Sequence, residues 1–349
     1  MRSYKNHLLL DSSTIKEALY KLDILAEDAI LFIVDEGNKL LGSLTDGDVR
    51  RGLLKGIKIE DSVTEIIQGY PRFIKKGEYS IKKIIEYREN NYRILPVLDE
   101  KNEIVNVINF RLLKSYLPVD TVVMAGGRGT RLQPLTDNTP KPLLMVGEKP
   151  IMEHNVDRLA LYGIDDFWFS VKYLGEQIEA FFGNGETKNL DIKYVWEDDP
   201  LGTIGAVSKI DDFKHDYILL TNSDILTNLN YEQFYLDFIE KGADFSLVSI
   251  PYQVNIPYAV LEKGADGSIK NFKEKPTYTY YSNGGIYLIK KEVLNYIPEN
   301  KFFNATDLME SLIKGNKKVI SYPLAGYWLD IGKHEDYIKA QEDIKKIKF

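Results

Sequence analysis

Beyond Val119 the chain alternates short apolar runs with stretches of helical period. The runs at 121–125, 166–171, 192–196, 217–221 and 245–250 are rich in β-branched and aromatic residues and predict buried strands. Between them, 152–162, 176–182, 204–208 and 231–240 carry apolar residues at helical spacing. Strand and helix in alternation argue for an α/β unit, Rossmann-like, with a mainly parallel sheet covered on both faces. Ligands of such sheets bind beyond the carboxyl ends of the strands.

The first third is patterned differently, as an internal repeat. Asp35-Glu36-x-Asn38-x-Leu40-Leu41 matches Asp99-Glu100-x-Asn102-x-Ile104-Val105 without a gap. Each copy reads as strand, polar turn and strand, hence a hairpin. A helical stretch opening on a hydroxyl residue precedes each, from Thr14 and from Ser80, and the hydroxyl is a plausible N-cap. A further helix is expected after each hairpin, near 46–55 and 110–116. The junction at 114–120 contains Pro118 and is too short for a flexible linker.

The chemistry concentrates after the strand at 121–125. Gly126-Gly127-Arg128-Gly129 places three glycines in four residues, so the backbone can bend sharply and turn its N–H groups to a ligand. Arg131 adds a cationic fork suited to phosphate oxygens. Lys141 stands between two prolines that hold its backbone extended. Together they describe a polyphosphate site. The Gly-x-x-x-x-Gly-Lys-Ser/Thr loop is absent, and Leu132 stands where the dinucleotide pattern needs its third glycine.

The longer pattern Gly-Gly-x-Gly-Thr-Arg-Leu-x-Pro-Leu-Thr…Pro-Lys-Pro, covering 126–142, resembles the signature of the sugar-1-phosphate nucleotidyltransferases. That resemblance implies a GT-A-like nucleotidyltransferase domain over 119–349. It implies that Ala125, Gly126, Gly127, Gly129 and Thr130 hold a nucleoside triphosphate, with Arg131 and Lys141 at its phosphates. Asp224, in Asn222-Ser223-Asp224, and Asp330, in Trp328-Leu329-Asp330-Ile331-Gly332, match the family's metal-binding acids and imply Mg²⁺; Ser223 and Lys333 replace the usual glycine and threonine. Glu274-Lys275-Pro276 and Asn283 match its sugar-phosphate half-site, with Lys275 on the sugar phosphate. Ala259 stands where relatives carry a glycine beside the sugar. The segment Glu197-x-x-Pro200-Leu201-Gly202-Thr203 resembles the arm of mannose- and heptose-1-phosphate guanylyltransferases, and Glu197 could accept both N1–H and N2–H of guanine, which favours GTP. Thymidylyl or uridylyl transfer is the alternative.

The repeat pair resembles a tandem CBS pair, an α+β module over 1–118 with copies near 5–57 and 62–117. Gly42-Ser43-Leu44-Thr45-Asp46-Gly47-Asp48 is similar to the nucleotide-binding pattern of such repeats, implying a purine-nucleotide site at Thr45 and Asp48. Asn109 and Leu112 occupy the equivalent places in the second copy, so a single site is expected. In the alternative reading Thr45 and Asp48 only cap a helix, and the module only builds an oligomer interface. A CBS pair joined to a guanylyl-like core resembles the glucosamine-1-phosphate guanylyltransferases of bacterial legionaminic-acid synthesis. A different class remains open, a non-catalytic nucleotide sensor.

Composition narrows this picture. A length of 349 residues suits two domains, and 44% apolar residues suit packed cores. The formal charge of −7 argues against a nucleic-acid partner, so an anionic substrate must meet local charge from Arg128, Arg131 and Lys141. No apolar run approaches the ~18–20 residues of a membrane span, and nothing near the N-terminus has the apolar core of a secretory signal. The absence of cysteine excludes thiolate metal sites and fits a reducing, cytoplasmic setting. The four histidines lack a metal-ligand spacing. Homo-oligomerisation is expected.

Overall fold

The computed structural model describes residues 3–347. The chain forms two compact units. One comprises the chain up to Asp120 with Asp157–Phe167 and Phe182–Lys193; the other comprises Thr121–Val156, Trp168–Phe181 and the chain from Tyr194 onward.

In the first unit the repeat folds as two sheets. Strands β1 (Leu8–Leu10), β2 (Ile30–Val34), β3 (Leu40–Thr45) and β4 (Gln68–Gly69) lie in that order, with α1 (Ile15–Leu25) and α2 (Asp46–Leu54). Strands β5 (Ile74–Lys75), β6 (Ile94–Leu98) and β7 (Ile104–Asn109) form the second sheet, with α3 (Ile81–Glu89). The hydroxyls at Thr14 and Ser80 cap α1 and α3 as expected.

The hairpins share one register. Ile30 faces Thr45 as Ile94 faces Asn109, and both slip by a bulge just before the turn. The turn chemistry explains the repeated motif. One oxygen of Asp35 accepts from the amides of Gly37 and Lys39 at 2.9 Å, and Asp99 does the same for Lys101 and Glu103. Asn38 and Asn102 sit at φ 61° and 64°, a left-handed conformation that asparagine tolerates better than most residues. The hairpin tips then pair with each other: Leu40 N–H donates to Asn102 O, and Ile104 N–H to Asn38 O. Beneath them Phe32, Val34, Leu98, Ile104 and Val107 form one buried cluster from both copies.

The expected helix at 110–116 does not form. Arg111 and Leu112 bend in a turn at Asn109, whose side-chain oxygen accepts the Arg111 amide. Lys114 N–H then bonds Leu161 O and Leu117 N–H bonds Tyr162 O, so these donors are spent outside any helix. Tyr116 is buried there with its hydroxyl on Asp165 at 2.8 Å.

The second unit is built on a seven-stranded, mostly parallel sheet. It contains β8 (Asp120–Met124), β11 (Asp166–Val171), β12 (Asp191–Trp196), β13 (Tyr217–Asn222), β15 (Phe245–Asn255), β18 (Thr277–Lys290) and β19 (Val319–Pro323), in the order β12-β11-β8-β13-β18-β15-β19. Strands β11 and β12 begin in the first unit and end in the second. Strand β18 is antiparallel to both neighbours. A short hairpin of β9 (Met145–Val146) and β10 (Lys149–Pro150) leads into α4 (Ile151–Ala160). The remaining helices are α5 (Gly175–Phe182), α6 (Tyr231–Glu240), α7 (Ala305–Lys314) and α8 (His334–Asp343). The pair β14 (Ile225–Thr227) and β20 (Trp328–Asp330) sets Ile225 opposite Asp330. The main core includes Val122, Ile218, Leu220, Phe245 and Ile289 from the strands with Leu308 and Leu312 from α7.

Two further expectations change. The helix at 204–208 is a 3₁₀ turn, Gly205–Lys209, whose first amides are taken by Phe303 O. The strand at 245–250 runs on to Asn255 and pairs along β18 as an exposed ribbon carrying the hairpin β16 (Val260–Lys263) and β17 (Ile269–Lys273). The backbone continues through Pro251. Among the described residues no helix is long and apolar enough to cross a membrane.

Phe32 is 1% exposed in the cluster that joins the two copies. Phe32→Ala is expected to cost about 3–5 kcal/mol, read as a lowered urea midpoint with an unchanged slope; a loss below about 1 kcal/mol would show that the shared cluster is not what holds the copies together.

Candidate active site

The site is a cavity of about 640 Å³ at the carboxyl ends of β8, β11, β12 and β13, wholly within the second unit. Its wall includes the sequence-predicted Gly126, Gly127, Gly129, Thr130, Arg131, Lys141, Glu197, Gly202 and Asp224. The loop leaves β8 through Ala125, which is itself buried behind the wall with its amide on Ser170 O at 2.8 Å.

Two glycines are required by what lies behind them. Gly129 sits at φ 64°, and a Cβ there would meet Lys141 Cβ at 3.0 Å and Thr136 Cγ2 at 3.1 Å. The Thr136 hydroxyl donates to Gly129 O at 2.9 Å and fixes the bend. A Cβ on Gly126 would lie 2.9 Å from Glu197 Oε1. Glu197 is held from both sides: Ser170 Oγ donates to its Oε1 at 2.6 Å and Leu201 N–H to its Oε2 at 3.0 Å.

Opposite charges meet at the floor. Lys141 is buried and ion-paired to Asp224 Oδ2, while Asp224 Oδ1 is buried with no hydrogen-bond partner. Asp330 adjoins through the β14–β20 pair, with Ile331 N–H on Asp224 O at 3.1 Å. Burial and the neighbouring Asp224 charge push the Asp330 carboxyl above the usual aspartate range, against the opposing pull of Lys141 and Arg131. The Arg131 guanidinium packs at Gly332, 3.5 Å from where a side-chain carbon would stand. Among the described residues no three acidic or histidine side chains gather as a metal cage. The two carboxylates could hold a cation only with oxygens supplied by a ligand.

The remaining candidates are not on this wall. Glu274 and Lys275 are exposed between β17 and β18, Lys275 at φ 42°, and Ala259 is exposed just before β16. Asn283 lies within β18, where its side chain accepts from Gly285 N–H and donates to Tyr287 Oη. In the first unit Thr45 and Asp48 form a capping box on α2. The buried Asp48 accepts from the Thr45 amide and hydroxyl, from Arg51 and from Gln68. It could meet a ligand only by surrendering one of these.

The profile described as Nucleotidyl transferase matches residues 120–347. The chain belongs to the nucleotidyl transferase family. A mannose-1-phosphate guanylyltransferase of Mycobacterium tuberculosis is 31% identical over 232 residues, 65% of this chain and 64% of that one. A UTP–glucose-1-phosphate uridylyltransferase of Synechocystis sp. is 29% identical over 238 residues, 63% of this chain and 61% of that one. The chain thus spans a little under two thirds of the length of these relatives. The solved structure of HddC from Yersinia pseudotuberculosis superposes with a TM-score of 0.50 at 26% identity, over 65% of this chain and 99% of that one.

Sequence reasoning missed several residues of this cavity. Lys172 and Tyr173 line the cavity from the end of β11, and Phe302 from the segment before α7. The rule that ligands gather at strand ends could have found the first two; Phe302 carries no signal. Tyr173 donates to the carbonyls of Thr136 and Asp137, and the Arg128 guanidinium lies 5.0 Å above its ring.

Gly127 differs from Gly129, since a Cβ there would meet nothing within 4 Å and its φ is not positive. Gly129→Ala is therefore expected to lose about 1–2 kcal/mol of stability in denaturant titration, and Gly127→Ala less than about 0.5 kcal/mol. Equal losses would contradict the packing of the loop on Lys141.

Proposed function

We propose that this chain transfers a nucleoside monophosphate, GMP from GTP, to a sugar-1-phosphate. An oxygen of the sugar phosphate attacks the α-phosphorus in line, the bond from that phosphorus to the bridging oxygen breaks, and pyrophosphate leaves with the electron pair. The nucleophile is already anionic, so no general base is needed. The observation that carries the reading is the gathering of Arg131, Lys141, Asp224 and Asp330 beside the glycine-rich loop. With an anionic nucleophile and leaving group, catalysis rests on positioning and charge neutralisation.

The chain's own groups divide that work. Loop amides cradle the phosphates, and Arg131 takes the outer ones as a fork. Lys141 exchanges Asp224 for phosphate oxygen. The unpartnered Asp224 Oδ1 and the adjoining Asp330 suit a hard divalent cation, Mg²⁺, which when bound offsets phosphate charge. Lys275, Glu274 and Asn283 are assigned to the sugar phosphate, beside Ala259, on the strength of their motif alone. Glu197 reads the guanine edge. Glucosamine-1-phosphate is the favoured acceptor because the CBS-like repeat pair accompanies a guanylyl-type arm; mannose- or heptose-1-phosphate is the second choice. The repeat pair is assigned a purine-nucleotide site at Thr45 and Asp48.

A grid of nucleoside triphosphates against sugar-1-phosphates, read as pyrophosphate release with Mg²⁺, tests the reaction; the greatest kcat/KM is expected with GTP and glucosamine-1-phosphate, and silence across the grid would favour a non-catalytic nucleotide sensor. Arg131→Ala and Lys141→Ala are each expected to reduce kcat about 10²–10³-fold without unfolding the chain; near-normal turnover in either would sink the phosphate assignment. Asp224→Asn and Asp330→Asn should each raise the Mg²⁺ concentration needed for half-maximal rate, and an unchanged titration would remove that carboxylate from the metal shell.

A further inference from the structure

Ser170 stands in a strand that is otherwise aromatic or aliphatic after Asp166: Phe167, Trp168, Phe169 and Val171. It is 4% exposed and does not line the cavity. Its backbone is committed to the loop, with Ser170 O accepting the Ala125 amide. Its side chain donates to Glu197 Oε1 at 2.6 Å, and Glu197 does line the cavity. The Glu197 amide is bonded to Val171 O at 3.1 Å, so backbone and side chain of Glu197 are both tied to the end of β11.

This fixes more than a distance. A glutamate with three rotatable bonds, left free at a cavity wall, would lose rotamer freedom on meeting a ligand. Here Ser170 holds one oxygen and Leu201 N–H the other, so the carboxylate plane is set before any ligand arrives. Each carboxylate oxygen has two acceptor positions, and each has spent one. What remains is a pair of acceptors at fixed spacing, bordered by the bare Cα of Gly126. Such a pair complements a base with two N–H donors on one edge, as guanine has at N1 and N2. It does not complement adenine, which offers an acceptor at N1.

We propose that Ser170 is a positioning residue for base selection: through its hydroxyl on Glu197 it presets the two-acceptor face that favours guanine, without touching the nucleotide. This rests on the reading of Glu197 as the base-recognition residue. The test is calorimetric affinity of the full chain for GTP, ITP and ATP with Mg²⁺, beside a thermal melt. Wild type is expected to bind GTP best, ITP (which keeps N1–H and lacks the 2-amino group) next, and ATP least. Ser170→Ala should lower the GTP-to-ATP affinity ratio about tenfold, the scale of one hydrogen bond to a charged group. Ser170→Thr, which keeps the hydroxyl, should restore it. A purely structural serine would lower the melting temperature and leave the ratio alone, and that result in a guanine-selective wild type overturns the inference by itself. A wild type with no preference for GTP overturns the reading of Glu197 and this inference together. If Ser170→Ala gives no cooperative melt, Ser170→Cys, with its weaker donor, is read on the same ratio: a fall supports the proposal and a wild-type ratio overturns it.

Discussion

The close approach of bare backbone to charged side chains governs this site. The loop after β8 is tied to backbone only where it starts, by the Ala125 amide on Ser170 O, and packs on side chains beyond. Gly126 lies against a carboxylate oxygen and Gly129 against the stem of a lysine. Glu197 comes from the end of β12, and Lys141 from a 3₁₀ turn, Lys141–Leu143, where the flanking prolines had suggested extended backbone. Both are held in turn, Glu197 by Ser170 and Leu201, and Lys141 by Asp224. Cavity wall and cavity floor are therefore one construction, in which the glycines supply absence of bulk and the charged groups supply position.

Much of this was legible in the chain. The strand cores at β8, β11, β12 and β13 carried the apolar runs of buried strands, and the loop motif announced itself by glycine density. The hairpin repeat was readable because Asp35 and Asp99, with Asn38 and Asn102, each perform a turn chemistry that few residues can replace. What could not be read depended on partners remote in sequence. Nothing local shows that the Ser170 hydroxyl reaches Glu197, 27 residues on. Nothing local shows that the amides at 114 and 117 are spent on 161 and 162 rather than on a helix. The outer half of β15 went unread because its pairing with β18 lies outside any local pattern.

The two copies of the repeat also diverge where local chemistry changes. Thr45 and Asp48 close a capping box and α2 follows; Asn109 caps only a turn, and no helix follows. Asp48 supplies the return bond to the Thr45 amide, and Leu112 in the equivalent place has no oxygen to offer.

The pairing of Lys141 with Asp224 bears on how fast an anionic ligand is found. A buried cation already matched to an anion projects little field into solution, and Asp330 beside it offsets a further share of the positive potential. The chain as a whole carries −7. An anionic ligand approaching from beyond the ~8 Å Debye length at physiological salt would therefore be guided chiefly by the exposed Arg128 and Arg131 and not by the buried Lys141. Raising ionic strength would screen those exposed charges strongly and the buried Lys141–Asp224 pair little.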